Sequence, residues 1–324
     1  MNVGQTTGNA VRPPIAQPPD APVRGSLRHR LEYLSLLGVV RLLSLLSGAQ
    51  TRSLGRALGR FTYSVLRIRR KVTEDNLQHA FPELSPRERE SIARKCYESF
   101  GITFLELARL PRMSRTDVIE AVLPAHTEIF DGAIEGGRGG ILTTGHLGNW
   151  EYTGGSVAAL AYPISVTVKS QKNPWVDAYV TKARRSTGME VLRAEGGFRQ
   201  MLRVLRNNRF LTFLADQDAG RRGVFVPFFG RPASTPVGVV RFARLTRSPI
   251  IPGYAIRQAD GRYELRLPGT IFVREDLPPD EAEKEALTAL VAQLESVIRQ
   301  HPEQWFWMHR RWKTRPEQEK VSQS

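Results

Sequence analysis

The sequence predicts an α/β protein in which a mixed sheet is flanked by helices and preceded by a helical N-terminal portion. From residue 139 onward, short β-branched runs alternate with helical segments, which is typical of helices packed on a sheet. With 41% hydrophobic residues among 324, the chain can bury a full core, and this excludes global disorder. We expect a helical portion at 27–135 and an α/β portion at 136–316, between a Pro-rich disordered tail at 1–26 and a disordered tail at 317–324.

The apolar segment from Leu31 to Ala49, "LEYLSLLGVVRLLSLLSGA", is the main candidate for membrane contact. Its leucines and valines cover nearly every face of a helix. As a helix, residues 31–47 span roughly 25 Å, less than a ~30 Å hydrocarbon core, and Arg41 falls in the middle. We therefore expect a helix that lies in the interface or enters one leaflet. A spanning helix and a buried helix of a soluble protein remain open alternatives.

The net charge of +15 favours acidic partners, which include anionic lipid, nucleic acid and an acidic carrier protein. The basic run "RIRRK" at 67–71 suits the anionic cytoplasmic leaflet. These features predict attachment to a membrane from its cytoplasmic side. Cys96 is the single cysteine, so an intramolecular disulfide is impossible, and we interpret it as a small buried hydrophobic residue of a helix.

Local patterns place the individual elements. A helix is expected to begin at Ser85, because Glu88 stands three positions later in the spacing of a capping box. The expected strands are GILTT, YPISVTV, FLTFLAD, PIIPGYAI and YELRL. The expected helices are NWEYTGGSVAAL, GGFRQMLRVLRNN, PVGVVRFARLT and the amphipathic DEAEKEALTALVAQLESVIRQ.

The stretch "ILTTGHLGNWE" carries the first candidate site residues, His146 and Glu151. On one continuous helix their side chains would point ~140° apart, so we expect His146 in a loop before the helix, with its ring folded over to meet Glu151. An imidazole bound to a carboxylate is a general base. The spacing alone leaves open two solvated side chains without a role. H-E-x-x-H and a second nearby histidine are both missing, which argues against a metal site. A G-x-S-x-G nucleophile elbow does not occur either.

"GHLGNWE" resembles the late acyltransferases of lipid A biosynthesis, the lauroyl and myristoyl transferases of the glycerolipid acyltransferase superfamily, which carry H-x-x-x-x-(D/E) after a strand. Further blocks are similar to that family in the same order and cover about residues 30–316. They are "NLQHAFPELSPRERESI", "KNPWVDAYVTKARRSTGMEVL", "LADQDAGRRGVFVPFFGRPASTPVG" and "HPEQWFWMHRRWKTRP". The resemblance implies the glycerolipid acyltransferase-like form of the α/β fold.

The resemblance also implies a reaction. A fatty acyl chain would move from an acyl-carrier-protein thioester to a hydroxyl of a lipid A precursor, with no cofactor and no acyl-enzyme. His146 would take the hydroxyl proton while Glu151 orients the ring. An alternative within this chemistry is an acyltransferase for another glycolipid, such as phosphatidylinositol mannoside, that uses acyl-CoA. A basic nucleic-acid-binding protein is the alternative from a different class, because aromatic and basic residues alternate near the C-terminus.

Four further residues are candidates for substrate binding. Arg184, with backbone N–H groups near the strand–helix junction, would stabilise the oxyanion. Asp216 and Asp218 end a predicted strand, where α/β sheets present functional groups, although both could simply cap a turn. Arg310 lies among Trp305, Phe306, Trp307 and Trp312, and we expect these residues at a headgroup boundary, with arginine binding phosphate. Inward packing of the aromatic rings is the alternative.

Overall fold

The computed structural model describes residues 25–123, 127–194 and 197–316. The tails predicted at 1–26 and 317–324 lie outside the described residues, except for residues 25 and 26. The predicted α/β architecture, with helices packed on a sheet, is confirmed.

Ten strands are present in the described part of the chain. They are β1 (Val122–Leu123), β2 (Gly140–Thr144), β3 (Ile164–Val168), β4 (Glu190–Arg193), β5 (Phe210–Leu214), β6 (Val224–Phe228), β7 (Arg231–Thr235), β8 (Ile250–Pro252), β9 (Tyr254–Arg257) and β10 (Tyr263–Arg266). The central sheet has the order β4-β3-β5-β2-β8, and each of its pairings is parallel. Because β2 to β5 follow one another through helical crossovers, the main sheet is parallel rather than mixed. Antiparallel pairs occur between β9 and β10 and between β6 and β7.

Eleven α-helices pack around these strands in the described residues. They are α1 (Leu27–Leu43), α2 (Gly48–Phe61), α3 (Arg70–Ala80), α4 (Pro86–Arg109), α5 (Arg115–Ala121), α6 (Glu128–Glu135), α7 (Trp150–Ala159), α8 (Pro174–Ser186), α9 (Phe198–Arg206), α10 (Gly238–Thr246) and α11 (Pro279–Gln300). The capping box predicted for α4 is confirmed, because Ser85 Oγ accepts from the Glu88 N–H and Glu88 accepts from the Ser85 N–H. Cys96 lies fully buried in the same helix, as predicted.

The helices α2 and α4 are in close backbone contact. Glycines make this contact possible: a Cβ at Gly59 would lie 2.2 Å from the Tyr97 carbonyl oxygen, and one at Gly101 would lie 2.1 Å from the Gly55 carbonyl oxygen. The two helices therefore pack with no side chain between them at this crossing, and α2 is fixed to the long helix that leads into the α/β portion.

Helix α1 covers most of the predicted apolar segment and docks on α8. The Asn173 amide donates to the His29 carbonyl and to Glu32, and the rings of Tyr33 and Trp175 stack with centroids 5.8 Å apart. Among the described residues, no helix has the length and apolarity needed to cross a bilayer.

Many large apolar side chains are exposed in this helical portion. We call this set the apolar face. It consists of Leu27, Leu31, Leu34, Val39, Leu42 and Leu45 on or next to α1, and of Leu54, Leu58, Phe61, Val65, Leu66 and Ile68 in and after α2. Contiguous exposed apolar surface marks an interaction site, and these side chains are the candidates for one in this portion.

The aromatic residues near the C-terminus pack inward. Trp305 and Trp307 are fully buried and Trp312 is nearly so, in a core that includes Phe228. The expectation of a headgroup boundary is therefore wrong for these three tryptophans. In the core these large rings bury more apolar area than they would at an interface. The indole N–H groups of Trp305 and Trp307 have protein acceptors there.

Candidate active site

His146 lies in the loop between β2 and α7, as predicted, at the carboxyl edge of the parallel sheet. Gly148, two residues later, has φ +60°, and a Cβ there would lie 1.9 Å from the Ala255 carbonyl oxygen. A tight glycine turn therefore directs the chain from the strand into the helix. The segment before Trp307 pairs with this loop, because Phe306 N–H donates to the His146 carbonyl and Gly148 N–H donates to the Gln304 carbonyl.

The imidazole of His146 is held by Asp216, which follows β5. His146 Nδ1 lies 2.8 Å from Asp216 Oδ1, and the His146 backbone N–H donates to Oδ2 at 2.7 Å. The indole of Trp305 also donates to Oδ2, at 3.0 Å. A carboxylate only accepts, so Nδ1 carries the proton and Nε2 is the basic nitrogen.

The pair of His146 and Asp216 is strongly polarised. Burial lowers the pKa of His146, but the adjacent Asp216 carboxylate and, further away, Glu151 outweigh this effect and hold the pKa above its usual value. Burial raises the pKa of Asp216, yet the imidazole and the N–H donors around it bring the pKa down to about 2. The site therefore stabilises an imidazolium beside a carboxylate, which is the charge state that a general base reaches after taking a proton.

The predicted contact between His146 and Glu151 is wrong. Glu151 lies in the first turn of α7, is buried, and binds Arg184 of α8: Arg184 Nε donates to Glu151 Oε2 at 2.9 Å and Nη2 to Oε1 at 2.6 Å. The residue at position 151 therefore points toward α8, whereas the ring of His146 points toward the end of β5. Glu151 acts on His146 only through its charge.

The junction supplies few free backbone donors. The N–H groups of His146, Gly148 and Asn149 donate to Asp216, Gln304 and Ala255 respectively. The sequence predicted oxyanion donors among the backbone N–H groups near the junction, and these three are engaged elsewhere. Arg184 has five N–H hydrogens, of which two are directed at Glu151, so it retains donors.

Asn149 fixes the start of α7. Its side chain accepts from the Tyr152 N–H at 3.3 Å, which is an N-cap, and donates to Glu106 at 3.1 Å. Arg257 and the Tyr263 hydroxyl bind the same Glu106 carboxylate. The asparagine of "GHLGNWE" is therefore held by a buried polar network behind the site.

The other two predicted binding residues have no hydrogen bond or ion pair with the imidazole in the described residues. Asp218 accepts from the Thr314 hydroxyl and from the Gly220 N–H, and its own N–H donates to His309. It therefore fixes the loop after β5 to the C-terminal segment, as a turn-capping residue does. Arg310 is exposed on that segment. Of the predicted site residues, the structure brings His146 to Asp216 and Glu151 to Arg184.

Sequence reasoning missed the groups that surround the imidazole. The rings of Trp150 and Phe306 lie 5.0 Å and 6.0 Å from it, centroid to centroid, and the Gln217 amide lies 3.4 Å from Nε2. These residues fall inside the quoted blocks "GNWE", "DQD" and "QWFW", so the signal was present. Interpreting it required knowing that these three segments, which are far apart in the sequence, meet around His146.

A parallel sheet with a histidine at its carboxyl edge, bound through Nδ1 to a buried carboxylate, defines an α/β enzyme with a histidine–carboxylate site. The profile described as "Bacterial lipid A biosynthesis acyltransferase" matches residues 23–314. The chain belongs to this family, and it is an acyltransferase. Family membership decides against the nucleic-acid-binding alternative.

Named relatives agree with this assignment. The chain is 30% identical over 303 residues to "Lipid A biosynthesis lauroyltransferase" of Escherichia coli (strain K12), covering 90% of this chain and 94% of the relative. It is 26% identical to "Lipid A biosynthesis palmitoleoyltransferase" of the same organism, covering 81% and 85%. It is also 28% identical to "Phosphatidylinositol mannoside acyltransferase" of Mycobacterium tuberculosis (strain CDC 1551 / Oshkosh), covering 66% and 68%.

Proposed function

We propose that the protein transfers a fatty acyl chain from an acyl-carrier-protein thioester to a hydroxyl of a lipid A precursor at the cytoplasmic face of the inner membrane. The observation that carries the mechanism is the 2.8 Å contact between His146 Nδ1 and Asp216, which leaves Nε2 as a base. In this proposal Asp216, rather than Glu151, is the direct partner of the general base.

The reaction begins when Nε2 of His146 removes the proton of the acceptor hydroxyl. The oxygen attacks the thioester carbonyl carbon, and a tetrahedral oxyanion forms. As the carbon–sulfur bond breaks, the imidazolium returns the proton to the thiolate, so that an ester and a thiol leave. Base catalysis of this kind contributes ~10²–10⁴-fold. No acyl-enzyme is required, and Cys96 is buried with a pKa raised by burial to about 12, so it is no nucleophile.

Glu151 and Arg184 support the reaction as a pair. Glu151 fixes the guanidinium through two hydrogen bonds and adds negative charge near His146. The remaining N–H groups of Arg184 and the Gln217 amide are the proposed donors to the oxyanion. Each well-placed donor contributes ~2.7–4 kcal/mol to transition-state stabilisation.

Charge and exposed apolar area support the proposed donor and location. An acidic carrier protein is attracted by a chain of net charge +15. The apolar face suits insertion into one leaflet, and anionic lipid complements the basic run at 67–71, which follows it in the chain. An acceptor with long acyl chains would then reach the enzyme within the plane of the membrane.

A glycolipid of another type, acylated from acyl-CoA, is the second candidate, favoured by the similarity to the phosphatidylinositol mannoside acyltransferase. Purified enzyme should therefore be given each acceptor with each donor, and product should be measured by mass spectrometry. We expect turnover with the lipid A precursor as acceptor and the acylated carrier protein as donor.

His146→Ala should lower turnover at least ~100-fold without unfolding the protein. His301→Ala is the matched control, because His301 follows α11 and its side chain lies near Glu303 rather than in the site. Unchanged turnover in His146→Ala would exclude the mechanism.

A further inference from the structure

A second concentration of positive charge lies outside the histidine site, in a cleft of about 420 Å³ between α3 and the C-terminal segment. This volume falls within the ~300–1,000 Å³ range of small-molecule sites. We call it the cationic cleft. Its lining includes five cationic side chains, those of Lys71, Arg231, Arg310, Lys313 and Arg315.

Arg310 and Lys313 are exposed, and neither forms an ion pair within the described residues. Asp75 is the one carboxylate in the described lining of the cleft, and it forms an exposed ion pair with Lys71 at 3.4 Å. Burial, followed by the charges of Arg231 and Arg315, lowers the pKa of His79 in the cleft wall to about 4. The imidazole therefore stays neutral near pH 7 and adds no charge to the cleft.

The wall of the cleft also holds unused hydrogen-bonding capacity. Within the described protein atoms, His79 Nε2 and Trp312 Nε1 are buried and have no partner, and Trp312 itself is 7% exposed. The two rings meet edge to face, 5.0 Å apart. An unpaired buried donor costs free energy unless a ligand or water satisfies it.

The backbone of this segment is well anchored, although its charges point outward. Arg311, between the exposed Arg310 and Lys313, is buried and donates to the Ser234 carbonyl and to the Thr235 hydroxyl. Asn76 donates to the carbonyls of Trp307 and His309. Arg310 and Lys313 therefore project from a fixed backbone, and binding needs little reorganisation.

We propose that the cationic cleft is a binding site for a phosphate-bearing ligand, of the phosphomonoester or pyrophosphate class. Arginine forks and a lysine point charge match the oxygens of a dianion better than a single carboxylate. Such a ligand can be soluble or can be the headgroup of a lipid. The proposal concerns binding alone and stands apart from acyl transfer.

The test measures binding without turnover. Pyrophosphate is titrated by calorimetry, and in a second arm protein is floated with phosphatidylcholine vesicles that contain or lack phosphatidic acid. The variant Arg310→Gln/Lys313→Gln removes two cations from the cleft. The matched control, Arg203→Gln/Arg206→Gln, removes two exposed cations of α9 and changes the net charge equally.

We expect saturable binding in at least one arm, weakened about tenfold or more in the cleft variant and retained within about twofold in the control. The arm that responds identifies a soluble or a lipid phosphate. Equal weakening in both variants would mean attraction to net charge alone, and it would overturn the proposal. Absence of saturable binding in both arms would overturn it as well. Neither result depends on whether His146 is the base.

Discussion

Asp216 binds both the backbone and the ring of His146: its two oxygens lie 2.7 Å from the backbone nitrogen and 2.8 Å from Nδ1. One buried carboxylate therefore sets the position of the loop and the tautomer of the base together. Trp305 donates to the same carboxylate and occupies its remaining side. A substitution at Asp216 is consequently expected to lower turnover more than it disturbs the fold of the sheet.

Replacing Asp216 with asparagine should abolish most of the activity. The asparagine amide has one accepting oxygen, and its nitrogen only donates, whereas the backbone N–H and the Nδ1–H of His146 each need an acceptor. If the amide donates to Nδ1, the proton moves to Nε2, and the base is lost. We expect kcat to fall at least ~100-fold with little change in the far-ultraviolet circular dichroism spectrum. Asp276→Asn, at an exposed carboxylate that pairs with Arg274, serves as the control. Near-normal turnover of Asp216→Asn would contradict the role given to this carboxylate.

The dependence of kcat/KM on pH should reflect the raised pKa of His146. The base acts only when neutral, so activity should rise with pH through a value above the ordinary ~6.5 of histidine. Glu151→Gln removes a nearby negative charge and should move this acidic limb to lower pH. A profile that stays in place after Glu151→Gln would mean that the carboxylate does not act on the ring.

The same pKa predicts a change in stability with pH. Because the folded-state pKa of His146 is raised, the protonated form stabilises the protein fully below about pH 6.5, and this contribution disappears as pH rises through the folded-state value. Urea denaturation of wild type and His146→Gln between pH 5 and 9, a range chosen around that ~6.5, should show a difference in unfolding free energy that shrinks with pH. A constant difference would contradict the prediction.

The variant Arg184→Gln should be strongly destabilised. Glu151 would then be left buried without its partner, which typically costs about 3–5 kcal/mol in the free energy of unfolding. Lys182→Gln, an exposed cation of the same helix, is the control and should stay within about 0.5 kcal/mol. The double variant Glu151→Gln/Arg184→Gln should regain part of the loss. Denaturant midpoints of Arg184→Gln, Lys182→Gln and the double variant measure these differences. Equal stability of Arg184→Gln and Lys182→Gln would exclude a buried ion pair.

Two glycine substitutions should have opposite effects. Gly59→Ala places a methyl group 2.2 Å from the Tyr97 carbonyl oxygen, so α2 and α4 must separate, at a cost of about 1–3 kcal/mol or more. Gly38→Ala, in α1, has open space around the new methyl group and should stabilise the helix by about 0.5–1 kcal/mol. Thermal unfolding of both variants measures the difference. Similar melting temperatures would mean that the close contact of α2 and α4 is absent in solution.

The strands that the sequence predicted are short runs rich in apolar, aromatic and β-branched residues. GILTT corresponds to β2 residue for residue, and three of the other predicted runs contain β3, β5 and β10. The run PIIPGYAI is divided into β8 and β9, and β9 continues one residue past it to Arg257. The strands β6 and β7 were missed because Pro227 and Pro232, which face each other in the hairpin, weaken the strand signal. The strand β4 was missed because it begins with Glu190 and ends with Arg193, whose charges resemble those of a loop.

The partner of His146 depended on topology that local patterns do not contain. The strands β2 and β5 are adjacent and parallel, with Thr144 opposite Leu214. Two residues beyond each end, positions 146 and 216 face each other. Asp216 was expected in the site, but its pairing with His146 requires this strand order and register. Glu151, close in sequence, was the natural choice in their absence.

Helix α8 is held at both ends, and this links the N-terminus to the chemistry. At its start, Asn173 and Trp175 contact α1, and near its end Arg184 holds Glu151. A shortened protein that lacks α1, made to improve handling in solution, would leave the first of these anchors without its counterpart. Any loss of turnover in such a truncation therefore has an intramolecular origin as well as an effect on lipid access, and the two have to be separated with soluble, short-chain acceptors.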